Sequence, residues 1–83
     1  MITYYGLDIT SSTASGEQPE IGVTIAADAS IPFGTVLKIN GKEYTVQDRG
    51  GAINGKVIDI LCESESLAEL LGTNEYEVYI KEE

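Results

Sequence analysis

Short stretches in which apolar and polar residues alternate lie along most of the chain, and this pattern predicts β-strands. A period of two places every second side chain on one face, where a core can bury it. Residues that favour turns, chiefly Gly, Asn, Pro and Ser, separate the stretches. The predicted strands are Ile2–Tyr5, Gly22–Ala27, Thr35–Ile39, Lys42–Val46, Val57–Cys62 and Tyr76–Ile80. The chain is therefore predicted to be mainly β.

The strongest local feature is the dipeptide Asn40-Gly41, which lies between two alternating segments. A two-residue hairpin of type I′ needs a positive φ at both central positions, and Asn followed by Gly meets this need best. The sequence therefore predicts a β-hairpin at Thr35–Val46. The polar stretch Thr10–Pro19 is predicted to be a loop.

One segment favours a helix. Leu67–Leu71 has apolar residues at helical spacing, and Ser64 or Ser66 can cap its first turn. Glu69 follows Ser66 by three positions, as in a capping box. Gly72 suits the position just after a helix. One or two short helices are therefore expected beside the strands.

Composition narrows the possible functions. With 83 residues, the chain can bury one modest core, so residues 1–83 are predicted to form a single domain. Its formal charge of -9 repels phosphate backbones, so nucleic acid is not expected as a partner. No run approaches the roughly 20 apolar residues of a membrane span, and Met1 is not followed by an export signal. A soluble domain with no membrane partner is expected.

The residue types also limit the chemistry. The chain has no histidine, and its single cysteine, Cys62, can form no internal disulfide. Transition metals would find almost no ligands, so neither a metal nor another cofactor is expected. Any catalysis must therefore use carboxylates, hydroxyls, tyrosine or lysine.

Two carboxylates occupy positions where acids are usually disfavoured. Asp59 lies inside the apolar strand Val57–Cys62, and Asp48 ends another strand, eleven positions earlier. If the two strands are neighbours, repulsion and partial desolvation raise at least one pKa. A carboxyl group that keeps its proton is what glycosidic cleavage requires of its general acid. Two alternatives remain open: Asp48 could serve as a turn residue, and alternation could point Asp59 to solvent.

Other candidates have equally plausible structural roles. Asp28 resembles a loop former, and Thr13 could either line a groove or belong to a solvated loop. Arg49 could form an ion pair or contact a substrate. The tyrosines could stack on a sugar, although strand spacing favours packing roles. They are Tyr4, Tyr5, Tyr44, Tyr76 and Tyr79.

The order of the three aspartates resembles that of the three-aspartate (3D) domain family. The Asp-x-Gly-Gly-Ala-Ile-x-Gly core, followed by an aspartate eleven positions after the first, is its most specific element. The resemblance extends over essentially the whole chain. Its main segments are Ala26–Asp28, Ile31–Thr35, Gln47–Gly55 and Ile58–Ile60.

The resemblance implies a six-stranded double-psi β-barrel, similar to the catalytic domain of a membrane-bound lytic murein transglycosylase. Enzymes of this type cleave the β-1,4 bond between N-acetylmuramic acid and N-acetylglucosamine and leave a 1,6-anhydro sugar. By position, Asp59 matches the general acid and base, Asp48 the aspartate held beside it, and Asp28 the first of the trio. By the same resemblance, Thr13 is a candidate for contact with the sugar. Arg49, Gly50 and Gly51 are also predicted to contact the substrate.

The chain also departs from the family pattern. Cys62 stands where an aromatic residue is common, and Arg49 replaces a frequent small residue. The similar enzyme has a second domain that forms one wall of its groove, which these residues do not include. The resemblance nevertheless implies a peptidoglycan glycan strand as partner, a monomer, and a location in the cell wall or outside the cell.

Two other functions remain open. Barrels of this type can hold a glycan without cutting it, so a binding module is the main alternative. A piece of a phage lysis or tail protein is a third possibility, because the chain starts at Met1 without an export signal.

Overall fold

A computed structural model describes residues 1–9, 12–50, 53 and 55–81, apart from the side chain of Ile9. These residues form strands, a 3₁₀ helix and an α-helix. The strands are β1 (Ile2–Gly6), β2 (Thr24–Ala26), β3 (Val36–Ile39), β4 (Lys42–Asp48), β5 (Ile58–Cys62) and β6 (Val78–Ile80). The helices are the 3₁₀ helix Leu7–Ile9 and α1 (Glu65–Leu71). The six predicted strands are all present, with ends that differ by one or two residues from the prediction.

The strands form one curled sheet in the order β1-β5-β2-β4-β3-β6. Strand β5 is parallel to β1 and antiparallel to β2, and β2 is parallel to β4. Asn74, just before β6, bridges back to Ile2 in β1 through bonds of 2.7 and 2.9 Å between backbone N and O atoms. This contact brings the two ends of the sheet together, so the sheet curls toward a barrel.

The predicted hairpin is confirmed. Strand β3 pairs antiparallel with β4, and Ile39 lies opposite Lys42. Asn40 and Gly41 have φ values of 51° and 82°. Both central residues are thus left-handed, as a type I′ turn requires.

Helix α1 begins earlier than the sequence predicts, and the predicted capping box of Ser66 and Glu69 is wrong. Ser64 has an extended backbone, and its hydroxyl accepts a hydrogen bond from the backbone N–H of Leu67. Ser64 is therefore the N-cap, and Ser66 lies within the first turn. The helix ends at Leu71, where Gly72 takes a φ of 65° and donates its N–H to the carbonyl of Ala68.

The core lies inside the curled sheet. Alternate side chains of the strands are buried there with less than a tenth of their surface exposed. They are Ile2, Ile25, Ala27, Leu37, Ile39, Val46, Ile58 and Ile60. Burying a side chain the size of Ile stabilises the fold by about 1.5–3 kcal/mol. No helix in the described residues is both long enough and apolar enough to cross a membrane.

Candidate active site

A register shift in β4 places two carboxylates on the same face of the sheet. Ile25 pairs with Val46, but the next residue, Ala26, pairs with Asp48 instead of Gln47. On its other side, Ala26 pairs with Asp59. The extra residue in β4 is a β-bulge, and a one-residue shift exchanges the two faces of a strand. Without the bulge, the side chain of Asp48 would lie on the same face as that of Val46, which points into the core.

The two aspartates do not come from neighbouring strands, which was the condition under which they were expected to approach each other. Strand β2 lies between β4 and β5, so the backbones of Asp48 and Asp59 are two strand spacings apart, about 9.5 Å. The residue between them is Ala26, which is only 3 % exposed. The two aspartates therefore flank a small, buried residue on one face of the sheet.

Asp48 is firmly held. It is 9 % exposed, and within the described residues three donors reach its carboxylate. The Tyr5 hydroxyl donates to Oδ2 at 3.0 Å, and the backbone N–H groups of Ala14 and Arg49 each donate to Oδ1 at 2.9 Å. These bonds join β1, the 12–19 loop and the end of β4 at one carboxylate. Asp48 is the last residue of β4, and its side chain is buried on the same sheet face as that of Asp59.

Asp59 has a different environment. It is half-buried, so it does not point fully to solvent. Burial raises its pKa, and the negative charges of Glu65 and Asp48 act in the same direction. The Thr3 hydroxyl donates a 2.8 Å hydrogen bond to Oδ1, which opposes the rise. The net effect is a raised pKa for Asp59, with burial as its main cause.

Tyr5 interacts with both carboxylates. Thr3 and Tyr5 alternate onto the same side of β1, where Thr3 lies opposite Asp59 in the neighbouring strand. Burial, together with the charge of Asp48, raises the pKa of Tyr5 far above its usual range. The phenol therefore stays neutral and remains a hydrogen-bond donor.

Asp28 lies in the loop after β2 and is partly exposed. It accepts hydrogen bonds from the backbone N–H groups of Ser30, at 2.9 Å, and Gly55, at 3.0 Å. Hydrogen bonds from Ser30, followed by the bond from Gly55, lower its pKa. Through these hydrogen bonds, Asp28 joins the loop after β2 to the segment before β5, and its carboxylate is held in place.

The side chain of Arg49 lies against the loop after β2. Its guanidinium donates to the carbonyl groups of Ala27, Ile31 and Asp48 at 2.6–3.4 Å. It also stacks on the Phe33 ring, 4.1 Å from the centroid. In this position Arg49 holds the loop after β2 against the end of β4. Its predicted contact with substrate stays a prediction.

The other predicted substrate contacts differ in how far they are exposed. Thr13 is 5 % exposed, and its hydroxyl donates to the carbonyl of Glu17 at 2.7 Å. Gly50 is exposed at the end of β4, and Gly51 lies outside the described residues. A groove of about 470 Å³ lies between the 12–19 loop and β4. It is lined in part by Ser15, Phe33 and Gln47.

Three contacts of the site were not predicted from the sequence: those of Thr3 with Asp59, of Tyr5 with Asp48, and of Glu65 with Gly6. Thr3 and Tyr5 could have been found from their alternation on a strand, but only once β1 was known to lie beside β5. Glu65 gave no local sign, since an acid in the first turn of a helix is common.

Within the described residues, no group of three or more His, Cys, Asp or Glu side chains is arranged to hold a metal ion. The site therefore consists of one half-buried acid with a raised pKa, one hydrogen-bonded carboxylate and hydroxyl groups. This arrangement can give a proton to a leaving oxygen and take one back. It can also place negative charge beside a developing cation.

Comparisons with known proteins agree with this geometry. The family described as "3D domain" matches residues 23–82. A search of curated proteins found no match.

Two crystal structures of MltA from Escherichia coli are similar to the chain, with TM-scores of 0.66 and 0.69. One of them is reported to reveal a unique lytic transglycosylase fold. In both, sequence identity is 27 %, and the match covers 83 % of this chain and 26 % of MltA. The chain thus spans about a quarter of the MltA chain. The similarity confirms the predicted double-psi β-barrel.

Proposed function

The chain belongs to the 3D domain family, and from this membership and the site geometry we propose that it is a lytic transglycosylase domain that acts on peptidoglycan. It cleaves the β-1,4 bond between N-acetylmuramic acid and N-acetylglucosamine. Asp59 is the general acid and then the general base. The observation that carries the proposal is the half-buried Asp59, whose pKa is raised by burial and which lies on one sheet face with Asp48.

The reaction needs one acid and no water. The protonated Asp59 gives its proton to the glycosidic oxygen while the bond from that oxygen to C1 of the muramic acid breaks. The 6-hydroxyl of the same sugar then bonds to C1, and its proton passes to the Asp59 carboxylate. The products are a 1,6-anhydro sugar and a free 4-hydroxyl, and the acid is restored for the next cycle. An intramolecular nucleophile makes a second covalent carboxylate unnecessary.

Asp48 supports the same step through charge. As a fixed carboxylate two strands from Asp59, it stabilises the positive charge that develops at C1. Its three donors hold it in place, so little reorganisation is needed during the reaction. Asp28 and Arg49 order the loop beside this region. Thr13, Arg49, Gly50 and Gly51 remain the proposed contacts to the glycan.

The proposal includes the setting in which the domain works. Its partner is the glycan strand of peptidoglycan, and it acts in the cell wall or outside the cell. Residues 1–83 act as one domain and one copy.

The test is a digestion of purified sacculi followed by mass analysis of the released muropeptides. The unmodified chain is expected to release 1,6-anhydro products. Asp59→Asn keeps the size and one acceptor oxygen of the side chain but cannot supply the proton, so release is expected to fall by at least about 100-fold, the lower end of a general acid's contribution.

Glu69→Gln is the matched control. It removes one negative charge from an exposed position on α1, so release is expected to stay at the level of the unmodified chain. Undiminished release by Asp59→Asn would contradict the role of Asp59. Binding to sacculi with no product from the unmodified chain would indicate a glycan-binding module instead.

A further inference from the structure

A tight turn before β3 brings the aromatic ring of Phe33 to the surface. The backbone N–H of Thr35 donates to the carbonyl of Pro32 at 3.2 Å, which closes a four-residue β-turn. Gly34, its third residue, has a φ of 90°, as a type II turn requires. Phe33 is the second residue of the turn, and 44 % of its surface is exposed. The backbone of the turn therefore presents this large apolar side chain to solvent.

The turn lies beside the end of β4 that carries Asp48. The antiparallel pairing of β3 with β4 continues into the turn, where the N–H of Gly34 donates to the carbonyl of Val46 at 2.8 Å. In this register, Phe33 lies alongside the last residues of β4. The 12–19 loop reaches the same end of the strand, since the N–H of Ala14 donates to the carboxylate of Asp48. Phe33 thus borders the candidate site on the side of β4.

The ring of Phe33 is held from one face. The guanidinium carbon of Arg49 lies 4.1 Å from the ring centroid. Arg49 is itself fixed by hydrogen bonds to the carbonyl groups of Ala27 and Ile31. One ring face is therefore occupied by a group that cannot easily move, and a ligand can stack only on the other face. An aromatic face is electron-rich and attracts groups with a partial positive charge, such as C–H.

The groove next to the ring is polar. Besides Phe33, it is lined in part by the side chains of Ser15, Glu17, Thr45 and Gln47. Oε1 of Gln47 accepts a 2.6 Å hydrogen bond from the Thr24 hydroxyl, so its NH₂ group is the donor that this side chain can offer. The volume of about 470 Å³ lies within the roughly 300–1,000 Å³ of small-molecule sites. An aromatic ring beside such a groove suits a ligand that has an apolar face and many polar substituents.

We propose that Phe33 is a sugar-binding platform, on which one N-acetylhexosamine ring of a β-1,4-linked glycan stacks. The ring substituents of such a sugar are equatorial, so its axial C–H groups can face the aromatic ring while its hydroxyl and acetamido groups contact the groove. Arg49 acts in this subsite by holding the aromatic ring. The identity of the glycan rests on the proposed function, but binding can be measured whether or not the domain cleaves it.

The experiment measures binding of a tetrasaccharide of alternating N-acetylglucosamine and N-acetylmuramic acid. The full chain carries Asp59→Asn, so that the tetrasaccharide is not consumed. Phe33 is the only phenylalanine in the sequence, so ¹³C labelling of phenylalanine rings reports on it alone. Its ring resonances are expected to shift until binding saturates and to show NOEs to the axial C–H protons of one sugar face.

Variants separate the aromatic face from apolar bulk. Phe33→Leu keeps the bulk, so Kd is expected to rise about 2- to 12-fold, which is the worth of an aromatic contact beyond the area it buries. Phe33→Tyr keeps the ring and is expected to bind like its parent. Tyr79→Leu is the matched control, because it removes an aromatic side chain that is 57 % exposed on β6, and Kd is expected to stay the same.

Three results would overturn the inference: no binding of the tetrasaccharide, binding that leaves the Phe33 resonances unmoved, or equal losses in Phe33→Leu and Tyr79→Leu. Activity with Asp59 intact supplies a separate test. If anhydro products form, Phe33→Leu is expected to raise KM and leave kcat unchanged, because the ring binds the ground state and the transition state alike. Binding at Phe33 without anhydro products overturns the proposed function alone. Anhydro products without any change at Phe33 overturn the inference alone.

Discussion

Gly6→Ala tests how closely α1 must approach the sheet. An added Cβ would lie 2.2 Å from the backbone N of Glu65 and 2.4 Å from the backbone C of Ser64. Backbone atoms cannot rotate away, so the start of α1 must move. Overpacking of this kind costs about 1–3 kcal/mol. The displacement also weakens the bonds from Gly6 to Glu65 and from Glu65 to Asp8, which are worth about 1 kcal/mol each.

The expected loss is therefore about 3 kcal/mol in the free energy of unfolding. For a domain of this size, such a loss lowers the Tm by about 12–24 °C. The assay is thermal and urea unfolding followed by circular dichroism. Gly50→Ala is the control, because its Cβ would meet only the side chain of Ile53, at 2.9 Å, which can rotate. Its cost is expected to stay within about 1 kcal/mol. Equal losses in the two variants would refute the reasoning.

Three further predictions follow from single contacts. Thr3→Val removes the hydrogen bond that lowers the pKa of Asp59, so the Asp59 midpoint in a carboxyl titration is expected to move to higher pH. Ile25→Ala opens a cavity at a fully buried position and should cost about 2–5 kcal/mol by urea unfolding, whereas Ile80→Ala, at a side chain 61 % exposed, should cost less than about 1 kcal/mol. Asp28 has a lowered pKa in the folded chain, so its stabilising effect is present above the unfolded pKa, about 3.9, and is lost as pH falls through the folded value. The Tm difference between the unmodified chain and Asp28→Asn should therefore shrink as pH falls below about 4; a difference independent of pH would contradict this.

The elements of the fold could be predicted because their causes are local. Asn40 and Gly41 accept the φ values of the hairpin turn at little cost, so the turn is fixed by two adjacent residues. The alternation in β3 and β5 determines which side chains enter the core. The start of α1 was placed too late because Ser64 and Ser66 are equally good caps in sequence. The backbone of Ser64 decides between them.

The candidate site could be predicted only in part. The aspartates stood out because acids are unusual in apolar strands, but their relation depends on the bulge at Gln47 and on Ala26 lying between them. A register shift of one residue leaves no sign in the sequence, because the side chains at the end of β4 could lie on either face of the sheet. Glu65 escaped notice because its contact with Gly6 joins positions 59 residues apart.

The most direct test of the account is to digest sacculi in water enriched in ¹⁸O and to measure the mass of the new muramic acid ends. If Asp59 moves a proton while the sugar's own 6-hydroxyl closes the ring, the released ends are 1,6-anhydro sugars that contain no heavy oxygen. Reducing ends that carry one ¹⁸O atom would show that water is the nucleophile and would contradict the account.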